Sequence, residues 1–263
     1  MAEERCGFVT LLGAPNAGKS TLVNYMVGAK VSIVSPKVQT TRSRVRGIVV
    51  KGDCEIVLID TPGIFKPKRR LDRAMVAAAW QDAEYSDKCL LLVDARRGLD
   101  DDARSIVESV KKNKLKADLV LNKTDLVKRA KLAELSLKLN ELYSFSETFA
   151  VSAATGDGVD VLERRLMSEM PAGPFMFPAD QVSDLPDKLL AADITREKLY
   201  MNLNQELPYV STVQTDSFSE ENGAVKINQT IYVEKNNQKQ IVIGKNGSMI
   251  KKIGTQSRTE LEK

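Results

Sequence analysis

Gly13-Ala14-Pro15-Asn16-Ala17-Gly18-Lys19-Ser20 has the residue types and spacing of a loop that wraps a polyphosphate. Its glycines let successive backbone N–H groups turn toward one anion, and a helix starting at Lys19 would add its positive end. Lys19 reaches the outer phosphates and the Ser20 hydroxyl can ligate Mg²⁺. Gly13, Asn16, Ala17, Gly18, Lys19, Ser20 and Thr21 form the expected phosphate-binding set, joined further on by Gly63.

A second segment, Asn122-Lys123-Thr124-Asp125, closes an apolar run over 117–121 and has the chemistry to read a base. A carboxylate at Asp125 can accept from the ring N–H and the exocyclic amine of guanine. Adenine offers an acceptor where that ring N–H would be, and the mismatch leaves a charge unpaired. Asn122 would bond the other edge of the purine or tie this loop to the phosphate loop, and the Lys123 stem would lie over the ring. Ser152-Ala153-Ala154, at the end of a strand over 148–151, supplies small residues whose backbone can meet the guanine oxygen.

Between these segments lie two candidate switches. Asp60-Thr61-Pro62-Gly63-Ile64 follows a strand over 54–59, with Asp60 expected to hold Mg²⁺ through water and the Gly63 N–H to bond the γ-phosphate. Gln39-Thr40-Thr41-Arg42 lies in a polar loop before a strand over 44–50. One threonine hydroxyl there should complete the Mg²⁺ shell, with Thr41 preferred to Thr40. Both loops would order around the third phosphate and relax once it leaves. GTP and GDP are the implied ligands, Mg²⁺ the implied metal, and Lys19 and Thr41 the expected catalytic residues.

The elements that must position these groups follow from the pattern between them. Apolar strands alternate with amphipathic helices over 71–85, 101–112 and 159–170, which predicts an α/β domain with a mostly parallel sheet and helices on both faces. All five segments fall at predicted strand ends, where open α/β sheets bind ligands. Pro171, Pro174, Pro178 and Pro186, with Gly173 among them, mark a linker at 171–187 between a domain at 1–170 and a smaller α+β domain at 188–263. In the second domain a helix is expected over 188–206, strands near 209–216 and 225–234, and two short helices around Gly244 and Gly247.

Net charge is only +4, but its distribution is uneven. Residues 235–263 carry seven basic against two acidic side chains, whereas 180–234 carry four against ten. Positive charge is thus gathered around the Gly244/Gly247 pair, as a loop facing nucleic-acid phosphates requires. Among 15 glycines a bare Gly-x-x-Gly spacing arises about once by chance, so context carries the reading. That context is Ile241 to Ile243 before the turn, Lys245 within it, Lys251 and Lys252 after it, and Met249, Ile250 and Ile253 at helical spacing. Cys6, Cys54 and Cys89 show no paired spacing and read as reduced core residues, and the lack of histidine removes the commonest zinc ligand and general base. No leader or bilayer-length apolar run is evident, so a cytoplasmic location is expected.

These motifs together resemble those of translation-factor-class small GTPases. Gly-Ala-Pro-Asn in the phosphate loop and Gln-Thr-Thr-Arg in the first switch resemble the bacterial Era family in particular. The segment 241–253 resembles the core of a KH RNA-binding module, and Era proteins join these two parts in this order. The resemblance implies a P-loop NTPase G domain followed by a KH-type domain, in which Ile243, Gly244, Lys245, Asn246, Gly247, Lys251 and Lys252 would clamp about four single-stranded nucleotides. It implies the 3′ end of small-subunit ribosomal RNA and the ribosomal subunit as partners, and small-subunit maturation as the task. The family pattern continues beyond the second core helix, so the KH-type domain is expected to be incomplete here, ending at Lys263. Ile64 stands where Ras-like enzymes carry a water-orienting glutamine, which implies slow intrinsic turnover. In GTPases with similar phosphate loops the residue matching Asn16 helps coordinate K⁺, so K⁺ is a candidate second cation; the alternative for Asn16 is a side chain capping the loop. A monomer is expected. The competing reading is a GTP-dependent protein-docking or membrane-surface switch, peripheral to the inner face of the cytoplasmic membrane, with the basic residues Lys66, Lys68, Arg69, Arg70 and Arg73 touching anionic lipid.

Overall fold

Aliphatic and β-branched runs bounded by turn residues build the main sheet. In the computed structural model, which describes residues 3–37, 40–42, 44–67, 70–204, 207–221 and 223–262, these runs become β1 (Arg5–Gly13), β2 (Val45–Lys51), β3 (Cys54–Asp60), β4 (Lys88–Asp94), β5 (Asp118–Asn122) and β6 (Thr148–Ala150). Gln39 of the first switch, and Lys68 and Arg69 of the basic segment, lie outside the described residues. The sheet order is β2-β3-β1-β4-β5-β6. Every neighbouring pair is parallel except the edge pair β2–β3. Burial on both faces explains why β3 is buried at all seven positions instead of alternating. Successive side chains still point to opposite faces. Leu11 joins one core with Leu22, Ile56 and Leu162, and Leu12 joins the other with Leu91, Val107 and Leu139.

The helices α1 (Lys19–Val27), α2 (Arg70–Glu84), α3 (Asp101–Lys112), α4 (Arg129–Leu142) and α5 (Val159–Glu169) cover the two faces. The bounds of α3 are set by its own chemistry. Asp100 accepts from Ala103 N at 2.8 Å, Asp101 and Asp102 fill the first turn, and Lys111 and Lys112 the last, each charge matched to the helix dipole.

Two compact units result: Met1–Ser32 with Thr41–Asp184, and Ile33–Thr40 with Leu185–Lys263. The proline-containing stretch expected to link the domains is irregular, but up to Asp184 it belongs to the first unit. Its backbone is held along that unit's sheet: Cys6 N donates to Pro171 O at 3.0 Å, and Met176 N and Phe177 N donate to the fully buried Glu55 carboxylate at 2.9 and 3.1 Å. Further along, Ile48 N donates to Val182 O at 2.9 Å. An extended chain with unpaired N–H groups gains by closing them on a sheet edge and a buried carboxylate.

The second unit contains α6 (Asp187–Asn202), an antiparallel pair β7 (Ser211–Glu221) and β8 (Ala224–Val233), then α7 (Asn236–Ile243) and α8 (Ser248–Leu261). Leu199, Leu203, Val242 and Ile253 form its core against Val213, Ile231 and Val233 of the strands. The last helix is longer than the short one expected. It runs on through Gly254 because Ile253 and Ser257 are buried on its inner face.

The segment Ile33–Thr40, leading into the polar loop expected before β2, is held by α6 through its described residues. Val34 N donates to Glu197 Oε1 at 2.8 Å, Arg196 Nη1 to Thr40 O at 2.8 Å, and Lys37 Nζ to Leu203 O. Glu197 is in turn paired with Lys198 at 2.7 Å. Three consecutive charged residues of α6, Arg196, Glu197 and Lys198, are thus buried, and their charges are met by pairing and by backbone groups of this strap. No helix among the described residues is long and apolar enough to cross a membrane.

Candidate functional site

The parallel registers bring the ends of five strands to one edge of the sheet: Leu11 is opposite Asp60, Gly13 opposite Leu92, Asp94 opposite Asn122 and Leu121 opposite Ala150. The loop after β1 turns on Gly18, which is left-handed at φ 98° and where a Cβ would collide with the Asn122 side-chain amide. Glycine there lets the phosphate loop and the base-reading loop touch. α1 starts on this glycine with no side chain capping it among the described residues, so the first-turn N–H groups stay directed at the loop. Thr21 follows, half-buried, in that first turn.

Lys19 is 6% exposed, and its Nζ donates to Gly13 O at 3.1 Å and to Ala14 O at 3.2 Å. Burial pushes its pKa down from 10.5 to about 8 against the opposing attraction of Asp60. Asn16 is left-handed at φ 64°, and its carbonyl accepts from Lys123 Nζ at 2.6 Å. From the second switch, Gly63 lies against Pro15 and Ile64 N donates to Gly13 O at 2.9 Å. The Ile64 side chain is buried in the core, Pro62 is buried, and Thr61 Oγ1 is spent on Leu11 O at 2.6 Å. None of the three presents a polar group to a reacting water.

Beside Lys19, three hydroxyls converge on one oxygen of Asp60. Ser20 Oγ donates to Oδ2 at 2.6 Å, Ser32 Oγ at 2.5 Å and Thr41 Oγ1 at 3.4 Å, with Ser20 and Thr41 hydroxyls 3.2 Å apart. Asp60 is fully buried, and burial pushes its pKa up, opposed by Lys19 and by the three hydroxyls. Its other oxygen, Oδ1, is buried and finds no hydrogen-bond partner among the described residues. A buried carboxylate oxygen left over beside two hydroxyls is a hard-oxygen set that fits Mg²⁺, the remaining positions falling to water and phosphate oxygens. Thr40 is placed elsewhere: its hydroxyl shares a 2.6 Å hydrogen bond with Ser35 Oγ and donates to Lys37 O at 2.8 Å.

At the base-reading loop, Asn122 is 1% exposed and makes the tie to the phosphate loop, donating from Nδ2 to Ala17 O at 2.8 Å. Its Oδ1 accepts from Lys123 N at 2.8 Å and Ala153 N at 3.0 Å. Lys123 spans the site, its ammonium held by Asp94 at 2.7 Å. Asp125 is exposed on a short 3-10 turn, with Ser152 Oγ donating to its Oδ1 at 2.6 Å. Ser152 N–H is given to Asp157 O at 2.9 Å, and Ala154 is exposed.

In the second unit, α7 ends on Gly244 (φ 74°, ψ 172°), where a Cβ would lie 2.8 Å from Met249 N, and α8 begins after Gly247. Between them Lys245 and Asn246 are exposed, Asn246 at φ 52°. Ile243, Lys251 and Lys252 are exposed around the same turn. The result is a backbone protrusion ringed by cations.

Three groups of site residues are not evident from the motifs. Asp94 and Ser32 act across the fold, and only the position of Asp94 at the end of an apolar strand hints at it. Asn24 holds the Ser32 backbone, with Nδ2 donating to Ser32 O at 2.8 Å and Oδ1 accepting from Ser32 N at 2.9 Å. Arg196 and Glu197 lie within the helix expected over 188–206, and no motif marks their contact with the 33–40 segment.

Comparison with known proteins agrees with this geometry. A family model described as 50S ribosome-binding GTPase matches residues 8–123, and one described as KH domain matches 206–263. The chain is 58% identical over 258 residues to GTPase Era of Afipia carboxidovorans, covering 98% of this chain and 84% of that one. It is 55% identical to GTPase Era of Agrobacterium fabrum, covering 98% and 81%. Among solved structures it is similar to Era in complex with MgGDPNP and nucleotides 1506–1542 of 16S ribosomal RNA, with TM-score 0.92 and 36% identity over 98% of this chain and 89% of that one. It is also similar to an Aquifex aeolicus Era variant bound to GDP·AlF4⁻, with TM-score 0.92 and 35% identity over 98% and 89%. A buried hydroxyl–carboxylate cluster at a phosphate loop, a base-reading loop tied to it and a cationic glycine turn, on a chain this similar to those relatives, make it a P-loop GTPase that belongs to the GTPase Era family.

Proposed function

We propose that the protein binds the 3′ end of small-subunit ribosomal RNA through its second unit, in the service of small-subunit assembly, and that GTP binding and hydrolysis in its first unit control that binding. The carrying observation is similarity along 98% of the chain to an Era solved with both MgGDPNP and 16S ribosomal RNA nucleotides 1506–1542.

The phosphate-binding set Gly13, Asn16, Ala17, Gly18, Lys19, Ser20 and Thr21, with the Gly63 N–H, would take the phosphates, and the Lys19 ammonium their outer charge. Ser20, Thr41 and Asp60 would hold Mg²⁺, which when bound draws negative charge from the β- and γ-phosphates. Asp125, oriented by Ser152, would accept from the guanine ring N–H and amine. Since the N–H groups of Ser152 and Ala153 are given to Asp157 and Asn122, the guanine oxygen falls to the Ala154 N–H. In hydrolysis a water forms a bond to the γ-phosphorus as the bond to the bridging oxygen breaks, giving GDP and phosphate. Lys19 and the loop N–H groups steady the charge on the leaving oxygens. With Ile64 packed in the core, help must come from elsewhere, and K⁺ beside Asn16 is the proposed source; equal turnover in KCl and NaCl at saturating GTP would exclude it.

On the second unit, Ile243, Gly244, Lys245, Asn246, Gly247, Lys251 and Lys252 would grip single-stranded RNA, the glycines admitting its backbone. Support for the coupling comes from the strap. Ile33–Thr40 is held by α6 of the second unit, whereas the residues at its two ends, Ser32 and Thr41, bond Asp60. Drawing Thr41 onto a metal therefore pulls on a segment that α6 also holds. The test is RNA affinity at one fixed salt concentration with GDP and with a non-hydrolysable GTP analogue. A difference supports the reading, and identical affinities exclude nucleotide control.

A further inference from the structure

Ser32 belongs to neither switch, yet its hydroxyl makes the shortest contact to the Asp60 carboxylate, 2.5 Å to Oδ2. It is 2% exposed. The bond is not an accident of a loose loop, because Asn24 of α1 grips the backbone on both sides of it: Val31 N and Ser32 N donate to Asn24 Oδ1 at 3.0 and 2.9 Å, and Asn24 Nδ2 donates to Ser32 O at 2.8 Å. A helix residue thereby fixes where a loop hydroxyl points, and the hydroxyl fixes a carboxylate. Of the three hydroxyls on Oδ2, those of Ser20 and Thr41 belong to the expected Mg²⁺ shell. Ser32 has no such task. Its donation can therefore persist whatever the metal does, holding Oδ2 while the buried Oδ1, without a hydrogen-bond partner among the described residues, is left for the metal.

We propose that Ser32 is a positioning residue for Mg²⁺, orienting the Asp60 carboxylate, with Asn24 as the support that fixes Ser32. The proposal rests on the reading of Ser20, Thr41 and Asp60 as the metal's protein ligands. Partners that orient a ligating carboxylate are worth about tenfold to a hundredfold in metal affinity.

The measurement is release of a fluorescent GDP analogue from the intact chain as free Mg²⁺ is varied, comparing the wild type, Ser32→Ala and Ser20→Ala. For Ser32→Ala the Mg²⁺ concentration that half-protects against release should rise about tenfold, while release in EDTA stays at the wild-type rate. A structural role for Ser32 predicts the opposite pattern, faster release in EDTA with an unchanged Mg²⁺ midpoint, and that result overturns the proposal. Ser20→Ala separates the two readings: if it shifts the midpoint and Ser32→Ala does not, Ser32 alone is wrongly assigned. If neither shifts it, the metal site itself is wrongly placed and the proposal falls with it. Should Ser32→Ala fail to fold, Ser32→Thr and Ser32→Cys replace it. The first, which keeps a hydroxyl, should retain the wild-type midpoint, and the second, a weaker donor, should raise it; equal midpoints would refute the role.

Discussion

The phosphate loop and the cationic turn of the second unit open a helix in the same way and then diverge. Gly18 (φ 98°) precedes α1 and Gly247 (φ 76°) precedes α8, both left-handed, and neither helix start is capped by a side chain among the described residues. Each leaves N–H groups for an anion. Around Gly18 the neighbouring side chains are already bonded: Lys19 is buried on two carbonyls, and Asn122 crosses to Ala17. Around Gly247 the described residues leave open space within 4 Å of a would-be Cβ, and Lys245, Lys251 and Lys252 are exposed. One helix start is organised for a single ligand of fixed shape, and the other for any phosphate chain that can approach it.

Lys19→Ala breaks that comparison most severely. It removes the cation proposed to meet the outer phosphates, so nucleotide affinity should fall about a thousandfold by titration calorimetry. RNA affinity of the nucleotide-free protein should not change. A parallel loss of both would mean that the two helix starts are one site.

The two glycines of the turn sharpen it next. Gly244 adopts a backbone conformation almost confined to glycine, and its missing Cβ would meet Met249 N, so Gly244→Ala should cost about 3 kcal/mol in urea unfolding of the second unit. Gly247→Ala meets only the left-handed penalty, about 1–2 kcal/mol. Equal costs would show that the turn relaxes freely. Its rigidity would then not be what presents Lys245 and Asn246.

Replacing Lys251 and Lys252 together by Ala should lower RNA affinity about tenfold and reduce the slope of log affinity against log salt by about 1.4, one contact's worth for each lysine. GTP binding should keep its wild-type salt dependence, because Lys19 is shielded where these lysines are not.

What could be read from the sequence divides along the same line. Backbone loops do their chemistry with adjacent residues, so Gly13 to Ser20, Asn122 to Asp125 and Gly244 to Gly247 stand out as strings. The βα alternation that carries them is legible because each strand is a short apolar run and α3 bears its own caps. Contacts made by folding are not legible. Ser32 reaches Asp60 across 28 positions and Asp94 reaches Lys123 across 29. The triplet Arg196, Glu197 and Lys198 looks like a solvated stretch, because nothing in its composition reveals the strap backbone that neutralises its burial. Likewise, the prolines mark an irregular stretch that ends where α6 begins at Asp187, but the pull of the Glu55 carboxylate on Met176 and Phe177 has no local signal.

The smallest expected effect is a fraction of a proton. Burial holds Lys19 at about 8 against an ordinary 10.5. Below that folded value Lys19 is charged whether the chain is folded or not, and burying the charge costs stability. As pH rises from 8 toward 10.5 the unfolded chain keeps the proton while the folded chain has lost it, so this group's contribution to stability improves with pH. Phosphates arriving beside the amine reverse the shift, because a nearby anion favours the charged form. GDP binding at about pH 8.5 should therefore take up a sizeable part of a proton, seen as a dependence of calorimetric heat on buffer ionisation enthalpy. Near pH 7 the uptake should vanish, Lys19 being already charged. No uptake on GDP binding at pH 8.5 would contradict the picture of a buried cation that waits for its ligand.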